Sequence, residues 1–569
     1  MTTSTAARTN TTQTPARTTV ARDPYVWGVL AIVVVAIIGL HGLPVSKLIA
    51  AGLTPEGLAA ITRAFTADLA PLWNSLLLGL LVALLGTVVG FLMAYAQVFL
   101  SFPGKRVLHW LTLLPMISPP FAVATAMITM FGRRGIITYH LLGLDFTLYG
   151  LQGLVIVLAM TFTPLAYLNI RAMLENMDPS LFEAAKALGA SEAYILFRVT
   201  LPMVTPALLA SFLILFVEAV ADLANPLVLG GDFRVLASEI YFAVAGNGNV
   251  SAAAGLALIL LLPALGVFCV QKYWAARKSV VTITGKPTGS RVDVTDHGIT
   301  IPVLAVVTLW TALIVVLYGA IAVGGVTNIL GVDNTITGAH YEFVARLGST
   351  AVTTTLWMTV VAAPVGALLA VLIAWLVVRQ FPRFGRVLDF LGMLGSAIPG
   401  TVLGLGFALA YAKPTWLFGI QILPALAGGV SVGAGAIAII GVYVARAIPT
   451  GQQSVIASLS QVNPQIEEAA TSLGASVAHT MRAVTLPLIN PAILTAIMYG
   501  ATRSMTTITA IIFITTPQTK VMTSQILDEV DAGRFGNAFA YCTVLIGLVL
   551  IVLGVTTAAL RLVTRRKSA

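Results

Sequence analysis

Twelve apolar stretches, each long enough to cross a lipid bilayer, constrain this chain more than any other feature of its sequence. A spanning helix needs about 20 mostly apolar residues, and ten of the twelve stretches contain no Asp, Glu, Lys or Arg. Inside a bilayer every backbone polar group needs an internal partner, so stretches of this length fit helices. We predict an all-α polytopic membrane protein with about 12 transmembrane helices, at the approximate positions 25–46, 71–100, 107–131, 148–170, 203–230, 251–270, 299–323, 348–378, 391–412, 417–444, 488–514 and 538–560.

The low content of charged residues excludes a soluble protein. Only 9% of the 569 residues are Asp, Glu, Lys or Arg, whereas a soluble domain carries about 25%. Cys269 and Cys542 both lie inside apolar runs, which indicates packing residues rather than a disulfide or a metal site. We predict no metal ligands from the sequence.

The distribution of Lys and Arg among the loops predicts the orientation of the chain. With the N-terminus in the cytoplasm, the cytoplasmic segments hold 22 of the 32 basic residues and the external loops hold nine. The opposite orientation would reverse this bias. We therefore expect both termini in the cytoplasm. The net charge of +10 is then a topology signal, and it gives no reason to expect nucleic acid as a partner.

A segment rich in Lys, Arg, Pro and Gly divides the chain into two halves. Its Gly285-Lys286 pair fails as a phosphate-binding loop because Val280 replaces the required first glycine and Pro287 replaces the Ser or Thr. We expect a solvated linker here. The predicted organisation is a disordered cytoplasmic tail (1–24), a first six-helix module (25–270), a cytoplasmic linker (271–298), a second six-helix module (299–560) and a basic cytoplasmic tail (561–569).

The two halves repeat each other. The sequence EAAKALGASEAYILFRVTLP of residues 183–202 recurs as EAATSLGASVAHTMRAVTLP at residues 468–487, an offset of 285. Upstream, an offset of 280 aligns Arg106-Val107-Leu108 with a second Arg-Val-Leu at 386–388. Both copies of the first motif fall on the cytoplasmic side, so the halves are parallel copies from a gene duplication.

Each copy of the motif predicts a compact helix–turn–helix. Pro179 and Pro464 suit a first helical turn, and Gly189 and Gly474 suit a sharp turn after it. The Glu-Ala-Ala triplet between them favours helix. Such an element on the inner face of the membrane could dock into a groove of a partner.

Both loops resemble the Glu-Ala-Ala motif of bacterial ABC importer permeases of the type I fold, and the resemblance covers nearly the whole chain as two tandem permease modules. It implies a multi-pass protein of the bacterial plasma membrane with no catalytic residue, which an extracytoplasmic substrate-binding protein supplies with substrate. In that family the motif seats in ABC ATPase subunits, which bind the ATP. The resemblance thus assigns the contacts with two such subunits to Glu183, Ala184, Ala185, Gly189, Glu468, Ala469, Ala470 and Gly474.

Three ionisable residues, Glu218, Asp222 and Arg503, lie within the predicted spans. Such groups are costly in a bilayer and usually face a cavity or a partner. The offset of 285 places Glu218 opposite Arg503, so we predict a gate pair or a substrate contact near the pathway. The alternative is an ion pair that only orients the fifth and eleventh helices. Glu218 and Asp222, four residues apart, are expected on one helix face.

The segment 222–231 resembles the corresponding segment of fused ferric-iron importer permeases. Carboxylates at 218, 222 and 232 would suit a hard cation such as Fe(III), which prefers oxygen ligands. An arginine at the pathway would instead suit a phosphonate, and fused permeases for 2-aminoethylphosphonate and thiamine have a similar layout. Ferric iron is the predicted substrate, with these two as alternatives.

Two other classes of protein would also place many helices in a membrane. A secondary transporter driven by an ion gradient would share the repeat, but it would not need two Glu-Ala-Ala loops. An intramembrane enzyme would need a catalytic constellation within its helices. His41 and His109 stand alone in apolar sequence, which predicts packing or interfacial roles for both.

Overall fold

The computed structural model describes residues 23–145, 148–273, 294–381, 384–417 and 419–568. Within these ranges ten helices are long and apolar enough to cross a membrane, and twelve spans result if each of two bent helix pairs counts as one. The predicted all-α, polytopic class is confirmed. Most of the predicted tail (1–24) and linker (271–298) lies outside the described residues.

The described residues of the first module form thirteen α-helices, counting the short ones, and three short π-helical segments. The first span, Pro24–Gly52, is two helices joined by a π turn. In chain order the helices are α1 (Pro24–Ile37), α2 (Leu43–Gly52), α3 (Pro55–Thr66), α4 (Ala70–Phe99), α5 (Lys105–Ile117), α6 (Pro120–Phe131), α7 (Leu151–Glu175), α8 (Pro179–Ala187), α9 (Glu192–Ile195), α10 (Leu201–Ala221), α11 (Ala224–Leu229), α12 (Leu236–Ala245) and α13 (Val250–Tyr273).

The second module repeats this order and adds two short antiparallel hairpins, β1–β2 and β3–β4. Its elements are α14 (His297–Gly324), β1 (Thr327–Ile329), β2 (Asp333–Ile336), α15 (Ala339–Arg346), α16 (Ser349–Trp375), α17 (Gly385–Gly392), α18 (Leu394–Ala397), α19 (Gly400–Tyr411), β3 (Thr415–Leu417), β4 (Ile420–Leu423), α20 (Ala436–Gln461), α21 (Pro464–Ser472), α22 (Val477–Thr480), α23 (Leu486–Thr506), α24 (Met522–Asp531) and α25 (Phe535–Ser568).

The third and ninth predicted spans are wrong as straight helices. Each is broken, with a bend of 106° after α5 and of 101° after α18. Pro119 and Pro399 stand at the two breaks in extended conformation, because a proline lacks the N–H that would continue the preceding helix. The breaks are 280 residues apart, so the duplication carried the bend into both modules.

The fifth, tenth and eleventh predicted spans have wrong bounds, and the eleventh, 488–514, ends as a helix at Thr506. The fifth, 203–230, ends as a helix at Ala221, where Asp222 turns to extended backbone. The tenth, 417–444, begins instead with a hairpin, and the long helix runs as Val432–Gln461. The tenth segment is continuously apolar, so composition did not separate helix from hairpin there. The shift places Arg446 inside a span.

The modules are interlocked by their first helices. The first span of the first module packs on α16, α19 and α20 of the second, while α14 packs on α4, α5 and α6 of the first. Two hydrogen bonds join the exchanged helices to their new neighbours. Tyr411 Oη donates to the carbonyl of Gly39 at 2.5 Å, and Ser118 Oγ lies 2.6 Å from Tyr318 Oη. Motion of one module is therefore transmitted directly to the other.

Candidate functional site

Two loops, residues 176–200 (the first loop) and 461–485 (the second loop), each form the predicted helix–turn–helix. The first helix of each loop begins with the same kind of cap. Asp178 Oδ1 accepts a hydrogen bond from the backbone N–H of Ser180 at 2.9 Å, and Asn463 Oδ1 accepts one from Gln465 at 3.0 Å. A proline follows each cap at the first helical position, where its missing N–H costs nothing.

The turn at the tip is the same in both loops. Gly189 and Gly474 have φ values of +81° and +89°, a left-handed conformation that costs other residues about 1–2 kcal/mol. The N–H after each glycine closes the helix end: Ala190 donates to Ala185 at 3.0 Å, and Ala475 donates to Ala470 at 3.1 Å. A Cβ at either position would meet no other atom. Glycine is therefore favoured here by the left-handed backbone conformation and not by a lack of space.

The tips expose apolar side chains at equivalent positions. Leu188 is 89% exposed and Leu473 is 90% exposed, each directly before the turn glycine. The motif residues Glu183, Ala184, Glu468 and Ala469 are exposed on the same helices, whereas Ala185 and Ala470 are partly buried. Each loop thus presents a small, ordered surface with an uncovered leucine, as a docking element requires.

The first loop is attached to its module by an aromatic contact. Phe182 is buried, and its ring centroid lies 5.2 Å from that of Phe99 at the end of α4. An offset aromatic pair at this separation contributes packing and about 0.5–1.5 kcal/mol beyond area burial. The equivalent positions in the second module are Arg379 and Glu467, by the offsets of 280 and 285.

The second loop is attached at this place by an ion pair that is largely, though not fully, buried. Arg379 Nε lies 3.2 Å from Glu467 Oε2, and the two side chains are 9% and 15% exposed. Arg379 Nη2 also donates to the carbonyl oxygens of Leu459 and Val462, at 3.1 and 2.9 Å. Thr485 Oγ1 donates to Glu467 at 2.9 Å. The pair therefore joins α21 to the end of α16 and to the end of α20.

A second pair of equivalent positions also changes chemistry between the modules. In the first module His109 Nδ1 lies 2.8 Å from Tyr167 Oη, and Arg171 Nη1 lies 2.9 Å from the same nitrogen. In the second module Gln452 donates to Asp389 at 2.8 Å, which Lys272 also contacts. His109 is therefore in a polar network, whose partners the predicted packing or interfacial role did not include. His41 is buried among α18 and α20.

The structure brings Glu218 and Arg503 together. Arg503 Nη2 donates to Glu218 Oε1 at 3.2 Å, across from α23 to α10. The side chains are 45% and 29% exposed, although both belong to helices that qualify as spans. Charged side chains within a span face a cavity rather than lipid. The pair joins a helix of each module and is partly exposed, and its role in transport stays a prediction.

Asp222 does not share a helix face with Glu218, so that prediction is wrong. It lies at the end of α10, where its Oδ2 accepts hydrogen bonds from the backbone N–H and the side-chain amide of Asn225, both at 2.9 Å. These contacts indicate a role in starting α11. Asp232 is exposed, and in the described ranges no three His, Cys, Asp or Glu residues are placed to hold a metal ion.

Sequence reasoning missed a further charged residue within a span, Arg446. It lies in α20, which packs against α23, the helix that carries Arg503. Its Nη1 donates to the carbonyl of Ile398, at the break before α19, at 3.4 Å. The predicted span stopped at Val444, two residues before this charge, whereas the helix continues to Gln461. Pro164 and Pro449 occupy equivalent positions inside α7 and α20. Because Pro164 lies inside the predicted fourth span, this equivalence was the available signal that the tenth span continues past Arg446.

A family of membrane transport proteins matches this chain in two places. The sequence profile of the binding-protein-dependent transport system inner membrane component matches residues 86–280 and again residues 362–568. These two matches cover more than half of the chain, so it belongs to this family of ABC transport permeases, as a tandem of two modules. The repeat found in the sequence is thus a repeat of whole family domains.

Comparison with individual proteins shows which transport permeases are similar to this chain. The ferric transport system permease protein FbpB of Actinobacillus pleuropneumoniae is 34% identical over 492 residues, which are 84% of this chain and 69% of that protein. The putative ferric transport system permease protein FbpB 1 of Haemophilus influenzae is 33% identical over 79% of this chain and 70% of its own length. The molybdenum transport system permease protein ModB of Escherichia coli is 30% identical, and its match covers 95% of that protein but 37% of this chain.

Proposed function

We propose that this chain is the transmembrane permease of an ATP-driven importer and that it carries ferric iron. The observation that carries the proposal is the pair of equivalent loops, each with the same caps, the same left-handed glycine and the same exposed leucine. Relatives named as ferric transport permeases support the substrate. The family description, binding-protein-dependent transport, supports a substrate-binding protein as the source of the cargo.

The first and second loops are the proposed contacts with two ATPase subunits in the cytoplasm. Glu183, Gly189, Glu468 and Gly474 mark the two docking surfaces, and the ATP belongs to the partner subunits. Closure of the ATPase dimer pulls on both loops and rocks one module against the other about a central path. The exchanged first helices couple these movements, because each module holds a helix of the other.

The Glu218–Arg503 pair is the proposed gate of the pathway. It links α10 and α23, whose main packing partners lie in their own modules, and both side chains are partly exposed. Separation of the modules would break this single hydrogen bond. A surface-exposed ion pair contributes about 0–1 kcal/mol, which is small enough for a gate that opens in each cycle.

The docking surfaces are tested by charge at the loop tips. We expect Leu188→Glu and Leu473→Glu each to weaken co-purification of the ATPase with the chain, and the double variant to abolish both co-purification and ATP-dependent uptake of ⁵⁵Fe(III). Val430→Glu is the matched control, since Val430 is a fully exposed apolar residue away from both loops. Normal ATPase recovery with the double variant would refute the docking proposal.

The energy source separates this proposal from a secondary transporter. Uptake of ⁵⁵Fe(III) should stop on depletion of ATP and should persist when a protonophore collapses the proton gradient while ATP is maintained. The reverse pattern would assign the chain to the gradient-driven class. The orientation follows from the same cells, because a tag at either terminus should be reached by a probe only after the membrane is permeabilised.

A further inference from the structure

One carboxylate of the first loop is bonded to the residues that precede α14. Glu192 Oε2 accepts hydrogen bonds from the backbone N–H groups of Thr295 and Asp296, at 3.0 and 2.7 Å. Its Oε1 accepts a third hydrogen bond from Lys186 Nζ at 2.9 Å, and the Glu192 side chain is only 13% exposed. Glu192 therefore joins both helices of the first loop, α8 and α9, to the start of a helix of the second module.

A second contact holds the same residues to the end of α4. The backbone N–H of Val294 donates to the carbonyl of Phe99 at 3.0 Å, and its side chain packs against the buried cluster that contains Phe99 and Phe182. Asp296 then caps α14, because its Oδ1 accepts a hydrogen bond from the N–H of Gly298 at 2.8 Å. The chain is thus fixed to the first module directly before it continues into the second.

Within the ranges that the structure describes, the second loop has no equivalent of this contact. The offset of 285 places Thr471 at the position of Lys186 and Val477 at that of Glu192. Thr471 Oγ1 donates to backbone carbonyls of its own helix, and Val477 is an apolar residue of α22, the helix that contacts α1. Only the first loop is therefore bonded through a charged group to the exchanged helix.

α14 connects the first loop to the opposite face of the membrane. It is one continuous helix of 28 residues, about 42 Å long at 1.5 Å per residue, and it packs on α25 of its own module. Its far end leads into β1. The turn after β1, residues 330–332, lines a cavity of about 720 Å³ together with Tyr139 and Tyr149 of the first module. A displacement at the first loop thus has a direct mechanical route to this cavity.

We propose that Glu192 is a positioning residue that keeps the first loop and α14 together during transport, so that the first loop drives the second module directly. The inference rests on the proposed docking of an ATPase subunit on the first loop. An ionised acceptor makes stronger hydrogen bonds than a neutral one. Because two of the donors are backbone N–H groups, their positions are set by the course of the chain and not by a flexible side chain.

The alternative is that Glu192 only stabilises the first loop, through its bond to Lys186. Two matched variants separate the accounts. Lys186→Met removes the bond within the loop and leaves both backbone bonds of Glu192, whereas Glu192→Met removes all three. Glu342→Met is the control for the loss of a glutamate, since Glu342 forms an exposed pair with Arg346 away from both loops.

The experiment uses proteoliposomes that contain the full chain in complex with its ATPase and its binding protein. The measured quantity is the amount of ⁵⁵Fe(III) imported per ATP hydrolysed, taken on assembled complex. We expect Glu192→Met to lower this ratio about fivefold, the lower end of typical coupling between two sites. Lys186→Met should lower it much less, and Glu342→Met should leave it unchanged.

A chemical tether provides an independent measurement. The double variant Glu192→Cys with Thr295→Cys loses the carboxylate but allows a short bismaleimide to join the two positions. The imported iron per ATP should be low before this reaction and should recover after it. The native Cys542 is buried and Cys269 is partly buried, and treatment of the wild type with the same reagent gives the baseline.

The inference is overturned if Glu192→Met leaves the ratio unchanged, if Lys186→Met lowers it equally, or if the tether restores nothing. Failure of the proposed function looks different. If the wild-type chain binds no ATPase, the docking proposal is refuted and this inference with it. If the ATPase binds but no iron enters, only the cargo is wrong. The stimulation of ATP hydrolysis by the binding protein then replaces uptake, and Glu192→Met should lower it.

Discussion

The first and second loops have the same hydrogen bonds at their tips, but different chemistry attaches them to their modules. The caps, the closing bonds of the turn and the left-handed glycines agree to within about 0.1 Å and 10°. At the base, Phe182 on Phe99 in one module is replaced by Glu467 with Arg379 in the other. The tips are the proposed contacts with a partner, whereas the bases only attach the loops to their modules.

The second difference between the loops lies beside α9 and α22. Glu192 of the first loop accepts hydrogen bonds from the backbone N–H groups of Thr295 and Asp296, just before α14. The equivalent residue of the second loop is Val477, in the short helix that packs near α1. Each loop is thus held by the first helix of the other module, through charge in one case and through apolar packing in the other.

The largest effect on the stability of a loop is expected at the ion pair of the second loop. Glu467→Ala leaves the Arg379 charge buried without its partner, which costs about 3–5 kcal/mol. Hydrogen-exchange mass spectrometry should show faster exchange in the second loop, with the first loop as an internal reference. The double variant Arg379→Phe with Glu467→Phe copies the pair of the first module and should recover most of this loss. A double variant no better than Glu467→Ala would contradict the equivalence.

A smaller effect is expected at the aromatic pair of the first loop. Phe182→Ala removes a buried ring and leaves a cavity, a change that costs about 3 kcal/mol in a packed core. Exchange should now rise in the first loop and stay unchanged in the second. Phe182→Leu is the control, because it keeps most of the apolar volume. Equal exchange in both loops after Phe182→Ala would show that the two bases are not independent.

The turn glycines should respond alike in the two loops. Gly189→Ala and Gly474→Ala each place a Cβ in a left-handed conformation and should cost about 1–2 kcal/mol. Because there is open space around both positions, the cost is conformational only. The matched replacements by Asn should be milder, since Asn tolerates this conformation. The measurement is the recovery of the ATPase with each single variant. Unequal losses of recovered ATPase would show that the two tips are not equivalent.

The smallest effect on the stability of a loop is expected when the pH is lowered, and it concerns the helix caps at Asp178 and Asn463. The backbone N–H of Ser180 lowers the pKa of Asp178 below its usual range, so this cap is stabilising above the ordinary pKa of about 4 and is lost as the pH falls through the lowered value. Asn463 does not titrate. Hydrogen exchange, corrected for its intrinsic pH dependence, should therefore loosen the start of α8 in acid before the start of α21. Asp178→Asn should remove the difference.

Local sequence signals predicted much of this molecule correctly. The length of the apolar stretches predicted the helical membrane class. The spacing of Pro, Glu-Ala-Ala and Gly predicted both loops, including the turn glycine, because caps and left-handed turns depend on a few neighbouring residues. The offset of 285 also placed Glu218 opposite Arg503. Predictions failed where composition does not distinguish between structures, because a continuously apolar stretch can form a straight span, a bent helix pair or a hairpin.

The sequence by itself determined the number of modules, their parallel order and the form of the two loops, since these follow from periodicity and repetition. Only the tertiary structure decided how the modules exchange their first helices, where the third and ninth spans bend, and that Arg503 bonds Glu218 across the two modules. Those features depend on contacts between residues as far as 285 positions apart, and packing between distant helices leaves no local pattern in the chain.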